Sequence, residues 1–593
     1  GCPPIQPSGT GCPASTATRD VFYGYDLLGR QLTAKFDSSG GADGITNAYD
    51  GFGNVTSSQI SMAGFTKTVT SIYDLDNNRT QVTHPDAQAF TYSYDARDRL
   101  AGLFEGIGRG IALLGFSWNA DDTLATRFND SGTANYHYDP IGRLDGQSDV
   151  FPGGAAANVQ WNFQISSASQ ISSETRDNDG YAFTGISAAN KAYAVNGLNQ
   201  YNAVGGTGYL YDASGNLTYD GFNAFTYDGE NRLVSALAAG QTTTLTYDPL
   251  GRLFQTLKTD GNSVTRSFLY DGDALVAEYN QTGTLVGRYV HGSNAAADDP
   301  LVWYTTTAPS SKRYLHADHL GSIVAATNPA AAPSLNAYDE YGVPKATNVG
   351  RFQYTGQILI PELGSATCPG LYHYKARFYS PCLGRFLQVD PVGYDGGVNL
   401  YAYVANDPVN SSDPTGLYEC ATKDCPIVAK AIDQIREARD FYRSPRTDSR
   451  LPRAPEAAKA LDKILGTLGK QDDGGVNIRS GDAGGNRGGF DAAKTITLDL
   501  SVIAKTGGTI GETLGHETQH YRQRGENLSP LAEEVRPLGV GYLIGRAPNG
   551  SIRSGSAREY IGHRLRFDYH WGRLPGGSAA IERAIDDELQ KPF

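Results

Sequence analysis

The sequence predicts a mostly β chain, in which short strands stack into a long array, followed by a smaller α+β domain. Three observations predict this organisation. The 593 residues include 71 glycines and 36 tyrosines, and only 19% are charged, a composition that favours strands and glycine turns over disorder. A Tyr-Asp pair recurs along the first part of the chain. After residue 417, helical spacing of apolar residues appears, which predicts a separate C-terminal domain.

Each Tyr-Asp pair begins a unit that continues with a turn and, usually, a branched residue. The units read YDLLGRQL from Tyr25, YDGFGNVT from Tyr49, YDLDNNRT from Tyr73, YDARDRLA from Tyr94, YDPIGRLD from Tyr138, YDASGNLT from Tyr211, YDGENRLV from Tyr227 and YDPLGRLF from Tyr247. Successive tyrosines are 24, 24, 21, 44, 73, 16 and 20 residues apart. A period of this size is typical of a stacked or spiralling array. The two long gaps predict copies that have lost the signature.

The chemistry of the unit predicts a turn between two strands. Aspartate bonds the local backbone, and the glycine or asparagine that follows tolerates a positive φ. The stretches before the pairs, such as FTYD from Phe225 and TLTYD from Thr244, alternate apolar with polar residues as half-buried strands do. One hairpin cannot bury its own face, so neighbouring units must stack.

Charge is divided unevenly along the chain. The net charge is −13, of which the first 417 residues carry −15 and the remainder +2. Nucleic acid is therefore an unexpected partner for the first part, and the near-neutral second part shows no basic patch. No apolar run approaches the roughly 18 residues of a membrane span. The chain opens Gly1-Cys2-Pro3-Pro4 without a signal-peptide pattern, and we expect a fragment or a processed product.

Six cysteines are spread thinly, and the sequence leaves their pairing open. They are Cys2, Cys12, Cys368, Cys382, Cys420 and Cys425. The absence of a CxxC pair argues against a cysteine-based zinc site, while a disulfide or two is compatible with maturation outside the cytosol.

The Tyr-Asp repeats resemble those of Rhs and teneurin shells. Residues 314–417 resemble the Rhs-repeat-associated core; they include YLHADHLGSIVAATN from Tyr314, YDEYGVP from Tyr338, FQYTGQ from Phe352 and the long block from Leu371 to Leu417. The resemblance implies a β-sheet that spirals into a hollow cocoon around its own C-terminal cargo. It divides the chain into a repeat shell (1–313), a core with a self-cleavage site (314–417) and a toxin (418–593). It also implies a secreted or delivered polymorphic toxin of bacterial competition, with a secretion-system component and an immunity protein as partners.

Two Asp-Pro-x-Gly units end the core, DPVG from Asp390 and DPTGL from Asp413. Read from the residues alone, each is a turn, since Asp and Pro start turns and Gly follows. The resemblance implies an aspartyl-type self-cleavage between Leu417 and Tyr418, with Asp390 and Asp413 as the carboxylate pair. Two close carboxylates do not both ionise, so one acts as acid while the other activates water. Arg385 matches an arginine of such cores and would stabilise a carboxylate or the oxyanion.

The cargo contains two segments with helical spacing, 427–442 and one beginning at Ala454, then a loop rich in Gly and Asp (472–489) and a strand pattern (492–503). A capping box at 509–512 opens the next helix. That helix carries His516-Glu517-Thr518-Gln519-His520, an HExxH motif. Its histidines share one helical face and could hold one Zn²⁺, with Glu517 as general base.

A third zinc ligand is expected from the helix that begins at Ser529, where Glu534 is favoured over Glu533. His563 and His570 are weaker candidates because their spacing to the motif is not fixed. Strand, HExxH helix and acidic helix together resemble a short gluzincin-type toxin. The resemblance implies a zinc metallopeptidase that acts on a target-cell protein, with no nucleic-acid partner.

Two other functions remain open from the sequence. The shell could carry a toxin of different chemistry, such as a nuclease, with the HExxH motif incidental. The chain could also be a non-enzymatic adhesion repeat protein, against which the HExxH motif argues.

Overall fold

The structure is a computed structural model that describes residues 19–185, 190–259, 263–292, 298–365, 368–391, 393 and 398–417, and the backbone of four short strands beyond them. The chain divides into two compact units. Unit 1 comprises residues 1–389 and 408–410, and unit 2 comprises residues 390–407 and 411–593.

A 14-stranded antiparallel sheet, in which every strand pairs with its sequence neighbours, begins unit 1. Its strands are β1 (Val21–Tyr25), β2 (Gln31–Phe36), β3 (Gly44–Tyr49), β4 (Val55–Met62), β5 (Phe65–Tyr73), β6 (Arg79–Thr83), β7 (Ala89–Tyr94), β8 (Leu100–Glu105), β9 (Ile111–Trp118), β10 (Leu124–Asn129), β11 (Gly132–Tyr138), β12 (Leu144–Val150), β13 (Val159–Ile165) and β14 (Ile171–Arg176). A three-stranded sheet follows, with β15 (Tyr193–Val195), β16 (Tyr201–Val204) and β17 (Thr207–Gly208).

A second large sheet has 13 strands in the same sequential order. They are β18 (Leu210–Tyr211), β19 (Leu217–Tyr219), β20 (Asn223–Tyr227), β21 (Leu233–Ala238), β22 (Gln241–Tyr247), β23 (Leu253–Thr259), β24 (Val264–Asp271), β25 (Ala274–Asn280), β26 (Leu285–His291), β27 (Pro300–Tyr304), β28 (Lys312–Ala317), β29 (Ile323–Asn328) and β30 (Ala331–Leu335). Strand β28 crosses the predicted boundary at residue 313, so repeats and core share one sheet.

The remaining described elements are short. A four-stranded sheet in unit 1 contains β31 (Ile358–Ile360), β32 (Leu371–Tyr374), β33 (Arg377–Ser380) and β34 (Arg385–Phe386). Unit 2 contains the pair β35 (Ser411–Ser412) and β36 (Cys420–Ala421), and the set β37 (Asn477–Ser480), β38 (Gly488–Phe490) and β39 (Thr495–Leu498). Three-residue 3₁₀ turns lie at Ala155–Ala157, Asp179–Tyr181, Pro309–Ser311, Tyr354–Gly356, Pro361–Leu363 and Val404–Asn406.

One turn geometry recurs at the predicted Tyr-Asp units. In the unit that starts at Tyr49, the Asp50 carboxylate accepts the backbone N–H groups of Phe52, Gly53 and Asn54 at 2.8–2.9 Å. The fourth residue of the turn is left-handed, with φ of 98° at Gly53, a conformation that glycine adopts without steric cost. Burial alone would raise the pKa of Asp50, but the hydrogen bonds from Asn54 and the turn amides hold it below its usual value.

In five of the Tyr-Asp units the tyrosine hydroxyl donates backward to a carbonyl of the preceding unit, namely those of Tyr49, Tyr73, Tyr94, Tyr227 and Tyr247. The Tyr49 hydroxyl donates to the carbonyl of Gln31 at 2.9 Å, and the Tyr247 hydroxyl donates to the carbonyl of Leu233 at 2.7 Å. In both cases the acceptor is the first strand residue after the previous turn. Tyrosine therefore supplies an apolar ring to the interior and a hydroxyl that ties consecutive units together.

The fifth residue of the turn, counted from its aspartate, bonds forward to the next turn in the units that start at Tyr25 and Tyr49. Arg30 holds the Asp26 carboxylate at 2.6 Å through Nε and donates from Nη1 to the carbonyl of Asp50 in the next turn at 2.8 Å. Asparagine at this position does the same, because Asn54 bonds both Asp50 and Asn77 of the next turn. Arginine or asparagine at this position therefore links one turn to the next by hydrogen bonds.

Copies that have lost the Tyr-Asp signature fill the two long gaps, as the sequence predicted. In the first gap Trp118 replaces tyrosine and donates from Nε1 to the Leu100 carbonyl at 2.8 Å. Asn119 then forms the turn, with its N–H on the carbonyl of Thr123. Turns of the same kind at Ser166 and Asn196 lie in the second gap.

The two large sheets pack face to face within unit 1. One buried cluster joins residues of β2–β9 with residues of β23–β28, centred on fully buried Phe90, Leu103, Val302, Tyr304 and Tyr314. Polar contacts cross the same interface, including His316 Nδ1 to the Asp149 carboxylate at 3.1 Å and Gln147 Nε2 to the Ala317 carbonyl at 2.7 Å.

The structure shows one disulfide among the six cysteines whose pairing the sequence left open. Cys368 and Cys382 form a disulfide that closes the β31–β34 region. The other cysteine side chains lie outside the described residues.

Most predictions for the C-terminal segment concern residues that the structure does not describe. These are the helical segment 427–442, the capping box at 509–512 and the helix from Ser529. Strand β39 lies inside the predicted strand pattern 492–503. The loop prediction for 472–489 was wrong, since strand β37 lies within it and pairs in parallel with β39. Gly and Asp content suggested a loop, but pairing with a neighbouring strand overrides this weak local preference. In the described part of the chain, no helix has the length and apolar character to cross a membrane.

Candidate functional site

The second Asp-Pro-x-Gly unit forms a tight turn around the carboxylate of Asp413. Its Oδ1 accepts the backbone N–H groups of Thr415 at 3.3 Å, Gly416 at 2.8 Å and Leu417 at 3.1 Å. Asp413 is only 2% exposed. A buried carboxylate is therefore bound to the amide of Leu417, the residue on one side of the predicted scissile bond.

This turn has the geometry of the repeat turns. Asp50 accepts the corresponding three N–H groups, and Gly416 is left-handed with φ of 71°, as Gly53 is with 98°. The difference lies in the fifth residue. In the repeat, Arg or Asn there holds the second carboxylate oxygen, whereas Leu417 has no polar group to do so.

The turn leads toward a short hairpin. Strand β35, which ends at Ser412, pairs antiparallel with β36, so that Ser412 lies opposite Cys420. The predicted bond between Leu417 and Tyr418 lies in sequence between these paired strands. Tyr418 itself is outside the described residues.

The first Asp-Pro-x-Gly unit is also a turn. The N–H of Gly393 donates to the carbonyl of Asp390 at 2.9 Å, and Gly393 is left-handed with φ of 66°. The N–H of Asp390 donates to the carbonyl of Leu400 at 2.9 Å. Asp390 is half-buried and belongs to unit 2, as Asp413 does. The turn prediction from the residues alone is confirmed at both units, while their pairing as catalytic carboxylates stays a prediction.

Arg385 lies on β34 in unit 1. Its Nη1 donates to the carbonyl of Asn199 at 2.7 Å, and its guanidinium lies 3.9 Å from the centre of the Tyr201 ring. These contacts hold the short sheet β15–β17 against β34, so its predicted role toward a carboxylate stays a prediction. Sequence reasoning passed over Arg377, which is 3% exposed and lies 3.7 Å from the Phe386 ring.

The predicted zinc site lies outside the described residues. This applies to the histidines and base of the HExxH motif, to both candidate third ligands and to the weaker histidines, namely His516, Glu517, His520, Glu533, Glu534, His563 and His570. Among the residues that the structure does describe, no group of three His, Cys, Asp or Glu side chains could hold a metal ion.

Comparison with known proteins shows which family and which solved structures this fold is similar to. Residues 176–409 match the family described as Teneurin YD-shell. This part of the chain is similar to a YD shell. The crystal structure of TcdB2-TccC3-Cdc42 has the same fold over 70% of this chain and 26% of its own, with a TM-score of 0.50 and 17% identity.

Two curated relatives carry names that describe an activity. Double-stranded DNA deaminase toxin A of Burkholderia cenocepacia (strain H111) is 27% identical over 371 residues, which cover 53% of this chain and 23% of that protein. tRNA nuclease WapA of Bacillus subtilis (strain 168) is 30% identical over 239 residues, which cover 38% of this chain and 10% of that protein. This chain thus spans less than a quarter of the length of either relative.

These names correct two predictions. The expected zinc metallopeptidase is wrong by this comparison, because the relatives are a DNA deaminase and a tRNA nuclease. The expected absence of a nucleic-acid partner is wrong for the same reason. It rested on the net charge of +2 for 176 residues, an average that does not describe the local charge of a substrate groove.

Proposed function

We propose that this protein is a delivered toxin in which the YD shell carries a C-terminal segment that acts on nucleic acid. Self-cleavage between Leu417 and Tyr418 separates the segment from the shell. The observation that carries the cleavage is the buried Asp413 carboxylate, bound to the amide of Leu417. The names of the two relatives support a nucleic-acid substrate.

The proposed step is hydrolysis of one peptide bond. Water adds to the carbonyl carbon of Leu417, and the bond to the nitrogen of Tyr418 breaks. Leu417 gains a carboxylate and Tyr418 gains an amino group. One of Asp413 and Asp390 takes a proton from the water, and the other gives a proton to the leaving nitrogen.

The Asp413→Asn variant tests this step. Asparagine keeps an oxygen that can accept the turn N–H groups but cannot exchange the proton, so the turn should persist while cleavage stops. In the unchanged protein, denaturing electrophoresis should show a fragment of about 19 kDa, from 176 residues at the mean residue mass of the chain. Asp413→Asn should give a single band.

Asp50→Asn is the matched control. It makes the same change in a turn with the same three N–H contacts, so it carries the structural cost without touching the proposed site. Both fragments should still appear. A single full-length band from the unchanged protein would contradict the proposed cleavage.

The nucleic-acid activity needs a separate test. The full chain and a chain that stops after Leu417 are expressed in parallel in a susceptible cell. Base changes in DNA and breaks in tRNA, read by sequencing, should appear only with the full chain. Toxicity of the full chain with intact DNA and RNA would count against a nucleic-acid substrate.

A further inference from the structure

A cleft in unit 1 lies between the second large sheet and the chain that follows that sheet. Strands β24–β27 contribute one wall, and residues from the segments 344–353 and 359–369 contribute the other. Its volume is about 400 Å³, which is in the range of small-molecule sites. All of these residues belong to unit 1, so the cleft is complete within one compact unit. We call it the Trp303 cleft.

Much of its lining is apolar, and the residues that provide this surface are Val286, Tyr289, Trp303, Pro344, Leu359 and Pro361. Trp303 is half-buried on β27, and Gly350 lies against its six-membered ring. A Cβ at position 350 would stand 3.6 Å from Cζ3 of the indole, so glycine keeps the space beside the ring free. Gly350 is also left-handed, with φ of 91°, a conformation that disfavours any residue with a side chain.

One charged group in the lining already has its partners. Arg351 donates from Nη2 to the Glu278 carboxylate at 2.7 Å and from Nη1 to the Glu362 carboxylate at 3.1 Å. Glu278 also accepts the Tyr289 hydroxyl at 2.6 Å. The three charged side chains are at most 10% exposed. Buried and fully paired, this network forms a rigid part of the wall and needs no ligand.

Two other cations in the lining differ from Arg351. Arg266, on β24, and Lys345 are half-buried, and neither makes an ion pair with an acidic side chain that the structure describes. Together with Arg351 and its two glutamates, they leave one positive charge in excess at the cleft. The first 417 residues as a whole carry a net charge of −15. A local excess of positive charge beside an apolar wall favours an anion that also has an apolar part.

We propose that the Trp303 cleft binds a small amphipathic anion, in which a carboxylate or phosphate group is joined to a flat apolar body. Arg266 and Lys345 bind the charged group through charge-assisted hydrogen bonds. The apolar wall holds the body, because planar groups stack favourably on an indole ring. Each half of such a ligand satisfies only one part of the cleft, so the two halves joined bind more tightly than either alone. This site does not depend on the proposed cleavage or on the nucleic-acid activity.

The test compares four probes on the full chain by ligand-detected NMR titration. Phenylacetate and phenyl phosphate carry the same ring with different anionic groups, benzyl alcohol carries the ring without charge, and inorganic phosphate carries charge without a ring. At least one of the first two should have a Kd at least about tenfold below those of the last two. Raising the salt concentration from about 0.05 M to about 0.5 M should weaken that binding, because salt screens the two cations.

The two charged probes identify the anionic group. Tighter binding of phenylacetate assigns a carboxylate ligand, tighter binding of phenyl phosphate assigns a phosphate ligand, and equal values support a site that accepts both. Failure of both to bind overturns the proposal. Binding of benzyl alcohol as tight as that of the charged probes overturns it as well, since the cations would then contribute nothing.

Variants locate the binding in the cleft. Arg266→Gln and Lys345→Gln each remove one charge, and each should raise the Kd of the tighter charged probe at least about fivefold while leaving benzyl alcohol unchanged. Lys258→Gln is the matched control, because Lys258 is a half-buried lysine on β23 outside the cleft; its Kd should equal that of the unchanged protein. Melting temperatures of the three variants should agree, and loss of folding in one cleft variant leaves the other as the test. Unchanged binding to both cleft variants would overturn the proposal.

Discussion

The buried histidine His373 predicts how the stability of the shell depends on pH. It lies on β32, is 5% exposed, and its Nε2 has no hydrogen-bond partner in the described residues. Burial, reinforced by the nearby Lys375, lowers the pKa of His373 to about 3. In the unfolded chain a histidine has a pKa of about 6.5.

The sign follows from counting protons. As the pH falls below about 6.5, the unfolded chain binds a proton at this position and the folded chain does not, so stability is lost on acidification. The loss is about 1.4 kcal/mol per pH unit, or about 2 kcal/mol between pH 6.5 and pH 5. For a unit of this size that corresponds to a fall of about 2–4 °C in melting temperature. His84, whose pKa burial also lowers, contributes in the same direction.

His373→Gln isolates the contribution of this residue. Glutamine does not titrate, so the fall in melting temperature from about pH 7 to about pH 5 should shrink by the amount of one proton. Tryptophan fluorescence during heating measures it. Carboxylates such as Asp299, whose pKa burial raises, have the opposite sign, but they are common to both proteins and cancel in the comparison. His137→Gln, at an exposed ring, serves as control. Equal pH dependence of His373→Gln and the unchanged protein would refute the reasoning.

Two further predictions concern the links between strands. Tyr247→Phe removes the hydroxyl that donates to the Leu233 carbonyl and should cost about 1 kcal/mol of unfolding free energy, whereas Tyr219→Phe, at a more exposed hydroxyl, should cost less in the same denaturant titration. Asp271→Asn leaves the Arg79 guanidinium without its charge partner and should cost about 3 kcal/mol. Adding Arg79→Met to Asp271→Asn should recover part of that loss; a double variant at least as unstable as Asp271→Asn would show that the ion pair is not the cause.

The repeat could be predicted from the sequence because its chemistry is local. The carboxylate of Asp50 and the left-handed Gly53 act within five residues, so composition and spacing alone indicate the turn. Degenerate copies were also predictable from the gaps, although the substitution of Trp118 for tyrosine was not. An indole N–H reaches the same carbonyl as a phenol hydroxyl, and only the structure shows that equivalence.

Contacts between distant parts of the chain could not be predicted in this way. Nothing in the spacing indicates that Arg385 lies over Tyr201, or that His319 reaches Val409 across 90 residues. Such contacts depend on how the sheets pack, which is decided by many small apolar contributions at once. The sequence places HADHLGS within a core motif, but the contact of its second histidine, His319, with Val409 is visible only in the structure.

The activity of the cargo was predicted least well, and the reason is physical. The HExxH motif places two ligands and a base on one helical face, but five residues do not make a metal site without a third ligand and a shaped pocket. The fold of the shell, in contrast, could be predicted because each Tyr-Asp unit repeats the same local signal. A fold that is defined by its own internal hydrogen bonds does not determine the chemistry of the C-terminal segment that follows it.

The repeats and the proposed cleavage site share one turn geometry. In a repeat turn, the fifth residue binds the second carboxylate oxygen of the aspartate. Arg30 does so for Asp26, and its guanidinium balances the negative charge of that carboxylate. At Asp413 the backbone contacts are kept, but Leu417 provides no such group. The carboxylate is buried as well. The fifth residue therefore distinguishes the Asp413 turn from the repeat turns, whose backbone hydrogen bonds it shares.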